Sequence, residues 1–328
     1  MRRFLPDWFL MGMGLAMGLA WLFPAPGAAG GSLHPELLTK AGIALIFFLH
    51  GALLSVAALK DGVSRWRLHV VIQATSFLFF PLLGLGVMVA ASPWVGQALA
   101  LGLFYLCALP STVSSSVAMT AAARGNVPVA VFNATVSSIL GIVLTPLWMS
   151  AVMQGSGGAI ALGPVIVDLV QWLLLPLALG QMLRPWLGSF FARHKRVVGK
   201  IDRLTILLLV YTSFCDSFAQ DVWRGHGVIP MLVTLAATAL LFAVVLGGLY
   251  LYCARAAIAP QFRAAVIFCG TKKSLATGVP MAQLIFAGSP HLSLYLLPIM
   301  LYHPLQLFVC APLANCWAQA SGSAEPQP

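Results

Sequence analysis

Two adjacent lysines, Lys272 and Lys273, stand inside an otherwise apolar run from about Ala264 to Ala287. A run of that length can cross a bilayer, and it places both amines near mid-depth. A lysine at the bilayer centre costs about 2.5–3.5 kcal/mol on insertion scales. Such a pair is tolerated only where it faces protein, water or a ligand. Gly270, Gly278 and Pro280 predict an interruption of the helix beside the lysines. The stretch from Phe268 to Pro280 therefore reads as half of a transport site, and the rest of the chain must be able to bury it.

The remainder suits that demand. Of 328 residues, 60% are hydrophobic and only 8% are charged, against about 25% charged in soluble domains. The expected fold class is an all-α polytopic membrane protein. Ten spans are expected, at about 8–24, 38–58, 69–91, 97–123, 127–153, 163–183, 204–219, 228–252, 264–287 and 292–317. Met1–Pro24 has the look of a signal peptide, with Arg2 and Arg3 before an apolar run, but no small-x-small cleavage site precedes Gly27. It reads as a retained first helix.

The net charge of +10 is explained by topology rather than by nucleic acid. When successive connections are assigned to alternate sides, every Lys and Arg except Lys40, Arg224 and the Lys272–Lys273 pair falls on one side. The most basic connection holds Arg184, Arg193, Lys195, Arg196, Lys200 and Arg203. A basic excess is normally cytoplasmic. Both termini are thus expected in the cytoplasm, in a bacterial inner (plasma) membrane. The six cysteines, at 107, 215, 253, 269, 310 and 316, form no CxxC pair, so no metal, cofactor or disulfide framework is indicated. No HExxH or GxSxG is present and acids are few, so an enzyme is not expected.

A second interruption lies in the fourth span, at Pro110-Ser-Thr-Val-Ser-Ser-Ser116. Proline removes a helical donor, and Ser111, Thr112, Ser114, Ser115 and Ser116 supply replacement partners for the freed backbone. Taken alone, such a cluster also serves as glue between helices. Opposite a break in the other half, it points to a site. Thirty-six residues separate Pro110 from Pro146, and thirty-four separate Gly270 from Pro304. Five spans per half require the second half to be inverted, giving repeats at 1–153 and 160–318 within one transmembrane unit, followed by a disordered tail at 319–328. Paired interruptions mark the binding site of secondary transporters. The candidate substrate or ion site is Ser111, Thr112, Ser114, Ser115, Ser116, Asn133, Thr135, Thr271, Lys272, Lys273 and Ser274, with His50, Gln73, Asn126, His303 and Gln306 as supporting polar groups. Fixed ammonium groups favour an anionic ligand. A lysine amine can also occupy the place of a metal cation or carry a proton. Asp168 and Asp216 lie nearer the ends of their spans, and no pairing with the lysines is assigned to them.

Four segments carry a likeness to a known family: FFLHG at 47–51, ARGN at 123–126, FCGTKKSLATGVPMA at 268–282 and YHPLQL at 302–307. With them the chain resembles the bile acid:sodium symporter superfamily, and within it the SBF-like branch that includes solute carrier family 10 member 7. The resemblance implies ten helices in two inverted five-helix repeats. A panel would contain helices 1, 2, 6 and 7, and a core helices 3–5 and 8–10, with helices 4 and 9 broken and crossing. It also marks departures. Sodium-coupled members have an acidic residue where Phe268 stands and a Gln-Asn pair where Lys272 and Lys273 stand. Their Ser-Asn pair falls at Ser115-Ser116, and two further hydroxyl ligands fall at Ala130 and Ala134. The expected function is movement of a small organic anion, sodium-independent or proton-linked. The alternative is a non-transporting or ion-handling membrane regulator on the same fold.

Overall fold

The computed structural model describes residues 8–53, 65–155, 162–224 and 227–322 of the chain. Among them every regular element is helical. In chain order these are α1 (Trp8–Leu22), α2 (Pro35–Leu53), α3 (Trp66–Ala74), α4 (Phe80–Ala108), α5 (Ser114–Ala122), α6 (Val127–Gly155), α7 (Leu162–Leu169), α8 (Leu175–Arg193), α9 (Lys195–Ala219), α10 (Val228–Arg255), α11 (Pro260–Thr271), α12 (Leu275–Ile285) and α13 (Leu292–Gly322). Six helical stretches are long and apolar enough to cross a membrane: Pro35–Leu53, Trp66–Ala108, Val127–Gln154, Gly163–Arg193, Val228–Arg255 and Leu292–Gln319. Their outward faces carry large apolar side chains, among them Met182, Trp186, Val228 and Leu240, as expected of helices bathed in lipid rather than water. The protein is an integral membrane protein.

Trp66–Ala108 spans 43 residues, about 65 Å at 1.5 Å per residue, and it bends sharply at Gly96. There φ is +78° and ψ is 166°, a conformation open to glycine and costly for other residues. Two π-turns also interrupt the helices. Thr75–Phe79 joins α3 to α4 and Val170–Leu174 joins α7 to α8, each just before a proline, Pro81 and Pro176. A proline ring clashes with the carbonyl four residues back and offers no N–H. Widening the turn relieves that clash but leaves carbonyls unpaired. Phe77 finds the indole N–H of Trp148 at 2.9 Å. Trp148→Phe is therefore expected to lower stability by about 1 kcal/mol, the worth of one such bond. A melting temperature equal to wild type would show that Phe77 needs no partner.

The chain packs as two compact units. One comprises α1, α2, α7, α8 and α9 with residues 279–296; the other comprises α3–α6, α10, α11 and residues 275–278 and 297–322. In the first unit α2 and α8 approach so closely that a Cβ on Gly51 would strike the Leu177 carbonyl, and one on Gly180 the Phe48 carbonyl. In the second, a Cβ on Gly270 would lie 2.6 Å from Leu249 Cδ1, and one on Gly278 2.7 Å from Leu109 Cδ1.

Several sequence expectations need adjustment. The helix is interrupted beside the lysines, within the expected Gly270–Ser274, but not at the residues that suggested it: Gly270 lies inside α11, and Gly278 and Pro280 inside α12. The gap falls on residues 272–274, and the two glycines serve close packing instead. The basic connection at 184–203 is helical apart from its turn at His194. Between Arg184 and Arg203 only Pro185, Gly188 and Gly199 strongly disfavour helix, and α8 and α9 run on through them, carrying the charges on their own ends. Finally, α13 continues to Gly322, into the stretch expected as a tail; residues 323–328 lie outside the described residues, as do Arg2, Arg3 and Lys60.

Candidate functional site

Two helix breaks meet in the second unit. The first follows α4: Leu109 is extended at φ −69°, ψ 152°, and helix resumes at Ser114. The second follows α11: Lys272 is extended at φ −88°, ψ 147°, and helix resumes at Leu275. The Ser274 N–H donates to the Pro110 carbonyl at 2.9 Å, tying one break to the other. Ser274 also caps α12, its Oγ accepting from the Thr277 N–H at 3.1 Å.

The end of α4 leaves carbonyls without helical partners, and side chains from elsewhere in the chain reach those of residues 107–109. Ala108 O accepts from the Thr145 hydroxyl at 2.7 Å. Cys107 O and Leu109 O both accept from Lys273 Nζ at 2.7 Å. The same ammonium donates to Ser76 O at 2.9 Å. Ser76 lies in the π-turn, where its carbonyl would bond to the N–H that Pro81 lacks. Lys273 thus spends all three of its donors on carbonyls exposed by a helix end and a proline, and the Phe80 ring lies 4.1 Å away. Its side chain is fully buried, and among the described residues no carboxylate pairs with it.

Lys272 points elsewhere, because successive side chains on an extended backbone alternate in direction. Its Nζ donates to Ser115 O at 2.9 Å and contacts Met119 Sδ at 2.6 Å, with the Phe268 ring 5.4 Å from the amine. Beside it the hydroxyls form a short chain. Thr112 Oγ1 lies 2.7 Å from Ser115 Oγ and 2.8 Å from Ser116 Oγ, and Ser116 donates to Phe268 O at 3.0 Å. Ser111 donates its N–H to Ser137 Oγ at 2.9 Å, while its own buried hydroxyl has no partner. Ser114 is exposed at the start of α5. The Thr271 hydroxyl bonds back to Ile267 O at 2.7 Å.

Gln306 clamps the second break. Its Oε1 accepts from the Lys273 N–H at 2.9 Å and its Nε2 donates to the Lys273 carbonyl at 3.0 Å, with His303 Nδ1 3.0 Å away. Two residues that sequence reasoning did not single out hold the neighbouring backbone: Tyr302 donates to Thr271 O at 2.6 Å and Tyr105 to Gly278 O at 2.7 Å. A tyrosine hydroxyl in an apolar span needs a partner, which was the available signal.

Other candidates stand apart from the lysines' first contacts. Asn133 Nδ2 lies 2.8 Å from His69 Nδ1, and Gln73 Nε2 donates to the Asn133 carbonyl at 3.0 Å. Thr135 is buried on α6. Asn126 caps α6, accepting from the Val129 N–H at 3.0 Å. Ala130 and Ala134, where sodium-coupled relatives place hydroxyls, are buried methyls, and Ala130 O faces the Cys269 thiol at 3.6 Å. His50 belongs to the first unit, where Nε2 lies 3.3 Å from Asp202 Oδ1. That unit also holds a cavity of about 330 Å³ whose walls include Glu36, Lys40, Asp168, Asp216, Gln220 and Gln283. Asp216 is fixed there by the Ala29 N–H at 2.6 Å.

Comparison with known proteins gives the family of the chain. The profile of the SBF-like CPA transporter family matches residues 7–319. The chain belongs to that family. This transporter is 42% identical over 317 residues to an uncharacterised protein of Pseudomonas aeruginosa, covering 97% of this chain and 94% of the relative. It is 40% identical over 306 residues to the Escherichia coli protein named "Putative symporter YfeH", covering 90% and 88%. It is 32% identical over 327 residues to rat sodium/bile acid cotransporter 7, covering 97% and 95%.

Proposed function

We propose that this transporter moves a small organic anion across the bacterial inner membrane by alternating access, without sodium or coupled to protons. The single observation that carries the reading is Lys273: a buried ammonium ringed by the carbonyls of Ser76, Cys107 and Leu109. A cluster of carbonyl oxygens at a helix C-terminus is the environment in which transporters of this general design hold a metal cation. Here the chain supplies its own. A fixed charge leaves no place for a diffusible sodium ion at that point, although the names of the rat relative and its kin contain the word sodium. The charge also makes the break electropositive, which favours an anion as cargo.

The architecture that goes with this reading has ten spans. α3–α4 contribute two, divided at Gly96, and α4–α5 and α11–α12 form the broken fourth and ninth spans. Spans one to five and six to ten are inverted repeats, a reading supported by the two interruptions at 109–113 and 272–274, each in the fourth span of its half. Helices 1, 2, 6 and 7 are the panel and the others the core; the two compact units support this division except at residues 279–296, which pack with the first unit. Both termini face the cytoplasm. The site is formed by Ser111, Thr112, Ser115, Ser116 and residues 271–274, with Gln306 and His303 in support.

Uptake into proteoliposomes tests this. Counterflow of labelled organic anions is expected to proceed equally in sodium and choline buffers, and either to ignore or to follow an imposed pH gradient. Uptake that requires sodium overturns the reading. Absence of uptake for every anion favours the regulator on the same fold.

A further inference from the structure

The two lysines are unequally satisfied. An ammonium has three donors. Lys273 directs all of them to carbonyl oxygens. Lys272 has one carbonyl, Ser115 O, and a thioether, Met119 Sδ. A thioether is a weak acceptor for a full positive charge, and an oxyanion forms a bond roughly twice as strong as a neutral partner. Lys272 lies beside the first turns of α5, whose N-terminus has no side-chain cap, with the Phe268 ring 5.4 Å from its amine. Lys272 is fully buried, but its cover is thin on that side: Val113 and Ser114 are exposed, and Ser115 and Met119 are half-buried. Met119 is unbranched and flexible, a side chain suited to moving aside.

We infer that Lys272 is the anion-contacting lysine and Lys273 a permanent structural cation, with Met119 Sδ holding the position on Lys272 that a carboxylate of the cargo takes. This deepens the reading of the site as an anion carrier and rests on it. The hydroxyl chain sets the geometry. Ser116 gives its proton to Phe268 O, so Thr112 donates to Ser116 and Ser115 donates to Thr112. No hydroxyl proton is left over to crowd the ammonium, and Ser115 Oγ retains lone pairs. A single buried ammonium short of one strong acceptor matches a single monoanionic group. Phosphate recognition calls for a denser set of donors, usually including arginine.

The test uses the full-length protein in detergent. Melting temperature is followed against straight-chain mono- and dicarboxylates, inorganic phosphate and sulfate, all as choline salts at constant ionic strength. Wild type is expected to be stabilised by at least one carboxylate. Lys272→Gln is expected to abolish that response with little change in the unliganded melting temperature. Met119→Glu places a tethered carboxylate at the sulfur's position; it is expected to raise the unliganded melting temperature and to abolish the response to added carboxylate, which keeps the test decisive if Lys272→Gln fails to fold. Met119→Leu removes the competing sulfur and is expected to tighten the apparent affinity several-fold. If no anion stabilises wild type, the anion reading falls and this inference with it. If the carboxylate response survives both Lys272→Gln and Met119→Glu, only the assignment to Lys272 falls. A response to phosphate or sulfate alone overturns the choice of carboxylate.

Discussion

Lys273→Ala is expected to make the stability of this transporter depend on sodium, with no such dependence expected of the wild type. The substitution removes an ammonium that donates to three buried carbonyls, those of Ser76, Cys107 and Leu109. Each orphaned buried acceptor costs about 1–3 kcal/mol. Part of that loss is offset, because a charge no longer has to be desolvated. A net penalty of roughly 3 kcal/mol remains, or a fall of roughly 6–12 °C at about 2–4 °C per kcal/mol. The alanine leaves space beside oxygens already arranged around a positive charge, and sodium is a hard cation that prefers oxygen ligands, as calcium and magnesium do. Adding sodium chloride is therefore expected to recover several degrees in the variant, whereas choline chloride at equal ionic strength recovers none. Equal melting curves in the two salts would mean that the carbonyls are not a cation cradle, and the idea of lysine as a built-in ion would fail. Lys273→Met serves as a control: it fills the space without a charge, and it is expected to be destabilised alike in both salts.

Much of this was legible in the chain because membrane chemistry is strict. Lys272 and Lys273 in an apolar run, and Pro110 followed by five hydroxyl residues, announced two breaks without any coordinates. What could not be read was which backbone atoms the breaks would expose. Gly270 and Gly278 looked like breakers, but a glycine costs only about 1 kcal/mol in a helix, and here the absence of a side chain admits Leu249 and Leu109. The partners of Lys273 are carbonyls, which every residue possesses, so no side-chain pattern at Ser76, Cys107 or Leu109 could single them out. Pro81 was the hidden signal: by withholding an N–H it frees a carbonyl one turn earlier. The fates of Asn133 and His50 show the opposite limit. Both are polar residues in apolar spans; Asn133 meets His69 and His50 lies 3.3 Å from Asp202 Oδ1, neighbours that spacing alone could not assign.

Gln306→Leu is expected to loosen the break at 272–274 itself. The amide of Gln306 holds both backbone groups of Lys273 at once, its oxygen on the N–H and its nitrogen on the carbonyl. Neither group has a helical partner, because the chain is extended there, and Gln306 is itself fully buried. Leucine keeps much of the volume and removes both bonds. Two orphaned groups at about 1–3 kcal/mol each make a loss of roughly 2–6 kcal/mol, because water is scarce at this depth. The damage should be local before it is global. Amide hydrogen exchange is expected to accelerate at residues 271–275 by one to several orders of magnitude, each factor of ten reflecting about 1.4 kcal/mol of lost protection, while the middle of α10 keeps its wild-type rates. The position of the Lys273 ammonium depends on this clamp, since its backbone is pinned at both ends by one side chain. The variant is therefore also expected to lose transport in proteoliposomes at temperatures where it remains folded. Unchanged exchange across 271–275 would mean that the contact with the first break, through Ser274 and Pro110, is enough to hold the lysines in place.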